Sequence, residues 1–365
     1  MLRRAALLSL TLLAGGLAAC GSEESAAPPT PTAEAPAGPG TTDQAAGQDE
    51  VLVTGLEVPW GLAFLPDGDA LVSERTTGKI LRISADGREE EIMTVPDVAT
   101  GQGEGGLLGL AVSPTYDQDN LVYAYFTSAG AGDNRVVRFE LGGEPEVVLD
   151  GIDAAGIHNG GRIAFGPDEK LYVSTGDAGD TGSAQDRESL NGKILRVEPD
   201  GSVPADNPFP GSLVYSLGHR NVQGLAWDSG GRLWAPEFGQ NTFDEVNLIE
   251  AGKNYGWPEV EGPGDGGGRF VAPKVTWETS ESSPSGAAII GSDLYVGALA
   301  GRRLWRIPLD GTRTGAPEKL LDGTYGRLRS PAAAPDGSLW VTTSNRDGRG
   351  DPVEEDDRIV RLSVG

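Results

Sequence analysis

The stretch GGRIAFGPDEKLYVSTGD (160–177), with GKILRVEPDG (192–201) behind it, decides the fold. Two apolar runs flank a Gly-Pro-Asp turn. Leu171-Tyr172-Val173-Ser174 alternates with period two, the pattern of a strand with one buried face. A Pro-Asp-Gly-like turn puts a positive-φ residue between strands. Working outward, the same unit recurs as WGLAFLPDGDALVSERTTGKILRI (60–83) and as LLGLAVSPTYDQDNLVYAYF (107–126) with RVVRFEL (135–141). It returns as VQGLAWDSGGRLWAPEFG (222–239), GAAIIGSDLYVGALAGRRLWRI (286–307), and SPAAAPDGSLWVTTSNRD (330–347) with DRIVRLSV (357–364). The six turn markers at 66, 114, 167, 228, 291 and 335 are 44 to 63 residues apart. A four-stranded propeller blade takes about 40–50 residues, and the longer spacings leave room for loops. The expected fold is all-β, a six-bladed β-propeller of four-stranded antiparallel blades over residues 50–365. VLVTGLE (51–57) would complete the last blade beside 358–364, so that few edges stay open. A β-sandwich does not account for six copies, and each further blade would need about 50 more residues.

Composition narrows the function classes. The 365 residues include 55 Gly and 25 Pro, which excludes a mainly long-helical protein because both residues destabilise helix interiors. A single Cys excludes an internal disulfide framework. Asp+Glu total 54 against 29 Lys+Arg, a net charge of -25, which argues against a nucleic-acid partner. Most glycines are expected in hairpins and in inner strands crowded at a propeller axis.

Residues 1–19 read as a lipoprotein signal peptide: Arg3 and Arg4 precede an apolar run, Ala5 to Leu13, too short to span a bilayer. Leu17-Ala18-Ala19-Cys20 resembles a bacterial lipobox, with Cys20 the lipidation site. Residues 20–49, rich in Ala, Pro, Gly and Thr, read as a flexible tether without hydrophobic period. The expectation is an extracytoplasmic domain that meets the bacterial cell membrane through its lipid anchor only.

Four stretches depart from the repeat. Gly101-Gln102-Gly103-Glu104-Gly105-Gly106 has no following Lys and no helix period, so it is no phosphate loop. It reads as backbone in close approach to a neighbour. Ile157-His158-Asn159-Gly160-Gly161 carries one of only two histidines, the side chain suited to accept a proton near neutral pH, although a loop or capping role fits a lone His equally. Gly218-His219-Arg220-Asn221 sets a fixed cation beside an amide, suited to a carboxylate ligand or to bridging blade carboxylates. Glu237 to Asn247, followed by Asn254-Tyr255-Gly256-Trp257, offers oxygen ligands of the kind Ca²⁺ takes, or a solvated acidic loop.

Together these stretches resemble the soluble PQQ-dependent glucose/aldose sugar dehydrogenase family. The resemblance spans residues 51–364 and rests on SERTTGKILRI (73–83), GEGGLLGLAVSP (103–114), HNGGRIAFGPDEKLYVSTGD (158–177), NGKILRVEPDGSVPADNPF (191–209), YSLGHRNVQGLAWD (215–228) and FDEVNLIEAGKNYGWP (243–258). It implies a six-bladed propeller that oxidises the C1 hydroxyl of an aldose to the lactone, with hydride passing to PQQ and electrons leaving to an unidentified acceptor. By resemblance, His158 is the catalytic base and Arg220 stabilises charge on the quinone. Glu104, Asn221, Arg327 and Arg329 line the PQQ site. The carbonyls of Gly239 and Gln240 match ligands of a PQQ-bound Ca²⁺, and Glu245 with the Tyr255 carbonyl matches a structural Ca²⁺. For the substrate, the matching region offers Gln185 and Trp277. Ala300 stands at a family Lys position, with Arg302 or Arg303 as the nearest replacements. That departure leaves a propeller that binds a sugar, glycan or protein without redox function as the alternative, and a Ca²⁺-dependent lactonase as a further one.

Overall fold

The computed structural model describes residues 49–101 and 103–364, which leaves the signal peptide, Cys20 and nearly all of the tether outside the described residues. The rest is six antiparallel sheets in chain order. Blade I is Pro59–Phe64, Ala70–Glu74, Lys79–Ile83 and Glu89–Thr94. Blade II runs from Leu107–Val112 to Glu146–Asp153, blade III from Ile163–Phe165 to Val214–Leu217, and blade IV from Ala226–Trp227 to Val275–Glu278. Blade V begins with Pro284–Ile290. Its outer position is split: Arg313–Thr314 and Glu318–Leu320 pair with successive parts of Arg303–Asp310. Gly315 and Pro317 lie between the two pieces, and Pro has no N–H to donate to a ladder.

Blade VI closes the ring. Leu328–Ala333, Leu339–Thr343 and Ile359–Leu362 come from the C-terminal end, and Asp49–Val53 supplies the outer strand, with Val51 opposite Val360. The expected pairing of 51–57 with 358–364 is therefore present. Among the described residues no helix is long and apolar enough to cross a membrane.

The turns follow their residues. Leu65 N–H donates to the Asp69 carbonyl and Gly68 N–H to the Leu65 carbonyl, with Gly68 at φ 96°. On the third strand an Arg returns to the acid of this turn: Arg82 to Asp69 (2.7 Å), Arg196 to Asp168 (2.8 Å) and Arg306 to Asp293 (2.9 Å).

One expectation changes. Leu171, Tyr172, Val173 and Ser174 are all buried, not half of them. Leu171 and Val173 pack toward blade II, while Tyr172 packs toward blade IV. Each blade is sandwiched between two others, so the period-two alternation sorts side chains between two buried faces. The core is accordingly six apolar layers, one between each pair of neighbouring blades.

At the axis the inner strands press backbone on backbone. A Cβ on Gly61 would lie 2.7 Å from the Leu108 carbonyl and 2.7 Å from Ser73 Oγ. Ser73 Oγ accepts from Gly61 N–H (2.7 Å) and donates to Leu108 O (2.5 Å), which joins blade I to blade II. Gly109, Gly224 and Gly286 abut the next blade in the same way. The equivalent position of blade III is Arg162, and that of blade VI is Ser330. Arg162 Nη2 reaches Ser330 Oγ at 2.7 Å, its Nε reaches the Gln223 carbonyl at 2.9 Å, and its guanidinium lies 4.2 Å from the Trp60 ring centroid. One arginine thus crosses the centre of the ring.

Gly61→Ala should destabilise the protein by about 1–3 kcal/mol through overpacking, whereas Gly156→Ala, with open space at its Cβ position, should change stability by less than about 0.5 kcal/mol. Urea midpoints for the two variants check the contrast.

Candidate active site

The site residues sit in the segments that lead into inner strands. His158 lies ahead of blade III in the left-handed conformation, φ 56°. Its carbonyl packs where a Cβ of Gly176 would be, so only glycine at 176 lets the two segments meet. His158 Nδ1 is 2.7 Å from Asp177 Oδ1. Asp177 is fully enclosed and His158 retains 13% side-chain exposure. Asp177 also accepts from Gly179 N–H (2.8 Å) and from Trp257 Nε1 (2.8 Å). Burial opposes its ionisation, yet the hydrogen bonds from His158, Gly179 and Trp257 outweigh burial and hold the carboxyl below its usual range. An ionised Asp177 accepts a proton carried on Nδ1 and so fixes the orientation of the ring, with Nε2 on its other side. Glu104 Oε2 accepts the His158 backbone N–H (2.8 Å), and its Oε1 pairs with Arg349 (2.9 Å).

Arg220 and Asn221 enter from the segment before blade IV. Asn221 Oδ1 accepts Gly160 N–H at 3.0 Å and so ties the His158 loop to this segment. The Arg220 backbone N–H donates to Glu237, its Nη1 reaches the Phe238 carbonyl (3.3 Å), and its guanidinium lies 5.6 Å from the Trp257 ring centroid. Arg220 Nε is buried without a partner. Burial lowers the affinity of Arg220 for its proton, while Asp177, Glu237, Glu104 and Glu261 raise it.

A pocket beside Arg220 is lined by Glu237, Gly239, Glu245, Tyr255 and Glu261. Glu261 Oε1 gathers the amides of residues 240 to 243, with Gln240 N–H at 2.8 Å, and so shapes the loop. That leaves the Gly239 and Gln240 carbonyls accepting no hydrogen bond among the described residues. Burial, with the Glu237 charge next, pushes the Glu245 carboxyl well above its usual range. Burial also pushes Asp244 up to about 7. Asn247 Oδ1 is buried without a donor. Free carbonyls, a reluctant carboxylate and an orphaned amide oxygen suit a hard cation such as Ca²⁺. Among the described residues no three His, Cys, Asp or Glu side chains converge on a metal position, so backbone oxygens would have to supply much of the coordination.

Arg327 and Arg329 converge from blade VI on Asp347, at 2.9 and 3.5 Å. Arg329 also reaches Ser344 Oγ (3.0 Å) and Gln223 Oε1 (3.3 Å). Burial and then neighbouring Arg75 lower it to about 9. Arg349, two residues beyond Asp347, connects this group to Glu104. Among the described residues, Arg75, Arg327, Arg329 and Arg349 gather around Asp347 and Glu104, with Arg162 close to Arg329, a local cationic surplus on an acidic protein.

Two expected substrate residues are engaged within the fold. Gln185 Nε2 donates to Asn254 Oδ1 (3.1 Å) and the Trp257 carbonyl (2.6 Å), and its Oε1 accepts from Asn254 Nδ2 (2.7 Å). Its amide is consumed in locking two loops together. Trp277 is an outer-strand residue of blade IV, buried and stacked on Trp305 at 5.2 Å, which leaves it no face for a sugar. Ala300 is exposed in a turn of blade V. Arg302 pairs with Asp351 and Arg303 with Asp322, at 3.0 and 3.2 Å. Sequence reasoning missed Asp177, Trp257, Asp347 and Arg75 as site components. Only the Asp177 position, closing a repeat copy just after a crowded glycine, carried a local signal.

The sequence model of the Glucose / Sorbosone dehydrogenase family matches residues 56–358. The chain is 29% identical over 339 residues to aldose sugar dehydrogenase from Escherichia coli K12, over 82% of this chain and 90% of that protein. It is 34% identical over 261 residues to quinoprotein glucose dehydrogenase B from Acinetobacter calcoaceticus, over 61% of this chain and 55% of that one. The PQQ-bound structure of aldose sugar dehydrogenase from Streptomyces coelicolor is similar at a TM-score of 0.82 and 55% identity, over 87% of this chain and 98% of that chain. The chain belongs to this family of PQQ-dependent sugar dehydrogenases and is an oxidoreductase.

Asp177→Asn keeps the shape and removes the charge. A carboxyl held below its ordinary range contributes stability above that range and loses it as pH falls through the folded value. The variant should be less stable than wild type by about 1–3 kcal/mol at neutral pH, and the two should converge well below about pH 4. Thermal melts across pH check this.

Proposed function

We propose that the protein oxidises the C1 hydroxyl of an aldose to the lactone, with His158 as general base, PQQ as hydride acceptor and Ca²⁺ beside it. The observation that carries the reading is the His158–Asp177 pair. Its Nδ1 is held at 2.7 Å by a buried carboxylate, the imidazole keeps 13% exposure, and its backbone N–H is held by Glu104, which pairs with Arg349. Bound PQQ would supply the two-electron acceptor that no side chain can provide. Its three carboxylates suit the surplus of Arg327, Arg329 and their neighbours, and Arg220 offers charge stabilisation near Trp257. Asn221 positions the His158 loop, as its bond to Gly160 shows. Glu104 holds the His158 peptide. Ca²⁺ would take the Gly239 and Gln240 carbonyls, and a second ion Glu245 with the Tyr255 carbonyl.

In the reaction, His158 Nε2 removes the C1 hydroxyl proton as hydride leaves C1. Asp177 stabilises the imidazolium that forms and keeps the ring from turning. Trp257 Nε1 holds the second Asp177 oxygen, so the pair reacts without reorganising.

The test is dye reduction by the protein loaded with PQQ and Ca²⁺, over a panel of aldoses. His158→Ala should lower turnover by about 10²–10⁴ while PQQ still binds. Absence of dye reduction with every aldose overturns the reading and favours a propeller that only binds. The lipid-anchored, extracytoplasmic placement is part of the proposal, motivated by Cys20 in Leu17-Ala18-Ala19-Cys20. Cys20→Ala should move the protein from the detergent phase to the aqueous phase on detergent partitioning of cells, and unchanged partitioning overturns the anchor.

A further inference from the structure

Arg75 follows the strand Ala70–Glu74 of blade I and is 7% exposed. Its Nε is fully buried without a partner. Among the described residues its guanidinium makes neither a hydrogen bond nor an ion pair, in contrast to Arg162, Arg327 and Arg329, each of which has acceptors. The charges that act on it are Asp347 and Glu104, which attract, and Arg349 and Arg327, which repel. It therefore stands between the Glu104–His158 corner and the Arg327–Arg329–Asp347 group. Gly106 closes over its stem: a Cβ there would lie 2.8 Å from Arg75 Cγ. Leu107 N–H donates to its carbonyl at 3.2 Å, which fixes the backbone below.

Burying a guanidinium without an acceptor is strongly unfavourable. Its five N–H groups form a rigid fork matched to a carboxylate. The two nearby carboxylates are already engaged, Asp347 by Arg327 and Arg329, and Glu104 by Arg349 and the His158 N–H. No acceptor among the described residues is left to complete Arg75, and the surrounding surplus of arginine favours an anion as its partner.

We propose that Arg75 is a further contact for a cofactor carboxylate, joining Arg327 and Arg329 in holding PQQ. The proposal rests on the PQQ reading above. It assigns Arg75 to binding and leaves proton transfer to His158.

The experiment is calorimetric titration of PQQ into the full chain with Ca²⁺ present, no sugar, and fixed ionic strength. Wild type, Arg75→Gln and Arg75→Lys are compared, with thermal melts of each before PQQ is added. Arg75→Gln should weaken PQQ binding by about 10- to 100-fold, the range of a charged hydrogen bond. Arg75→Lys should fall between, because it keeps the charge and loses the fork. Before PQQ is added, Arg75→Gln should melt at or above the wild-type temperature, since an unsatisfied buried cation has been removed. Binding by Arg75→Gln within twofold of wild type overturns the assignment. So does a lower melting temperature for both variants with unchanged PQQ affinity in Arg75→Lys, which would make Arg75 structural. A wild-type protein that takes up no PQQ overturns the cofactor reading itself, and this inference with it.

Discussion

Closing six sheets around one axis leaves room there for backbone and little else, and the rest of the molecule follows from that constraint. Gly61, Gly109, Gly224 and Gly286 let inner strands touch their neighbours directly. At the two remaining positions the ring is bridged, with Arg162 of blade III bonded to Ser330 of blade VI. Ser330 Oγ in turn donates to the Trp60 carbonyl of blade I at 2.6 Å. The bridge makes opposite blades parts of one interior.

The same geometry explains why distant residues share a site. All inner strands begin at the same end of the ring, so the segments leading into them converge. Glu104 precedes the inner strand of blade II, His158 that of blade III, Arg220 and Asn221 that of blade IV, and Arg327 that of blade VI. Asp177, at the far end of the second strand of blade III, returns to the same place. A histidine, the carboxylate that orients it and an arginine cluster are thereby gathered by closure of the ring, without a dedicated local motif.

Charge is organised against the global trend. The chain carries a net charge of -25, yet four of its buried arginines, Arg75, Arg162, Arg327 and Arg329, act on one another beside Asp347. Arginine suits this place because its high intrinsic pKa leaves Arg329 at about 9 even after burial, and its planar fork of N–H groups matches a carboxylate. A region that repels itself in this way is stabilised by an anionic occupant, and it is Asp347 that holds Arg327 and Arg329 together meanwhile.

Much of this was legible in the chain itself. Six copies of strand, Pro-Asp-Gly-like turn and strand determined the blade count, because period-two alternation and positive-φ turns are local properties. The His158, Arg220 and Glu237–Tyr255 stretches stood out as departures from the repeat. What only the tertiary structure decided was partnership. Leu171 to Ser174 read as half-buried until a second blade covered the other face. Gln185 and Trp277 carry suitable side chains, but hydrogen bonding to Asn254 and stacking on Trp305 take them out of the site. Asp177 with His158, and Arg75 without a partner among the described residues, are facts about which loops meet across the ring. Residue types and their spacing along the chain determine the local conformation of each blade; which charges face each other is settled only when the last strand closes the circle.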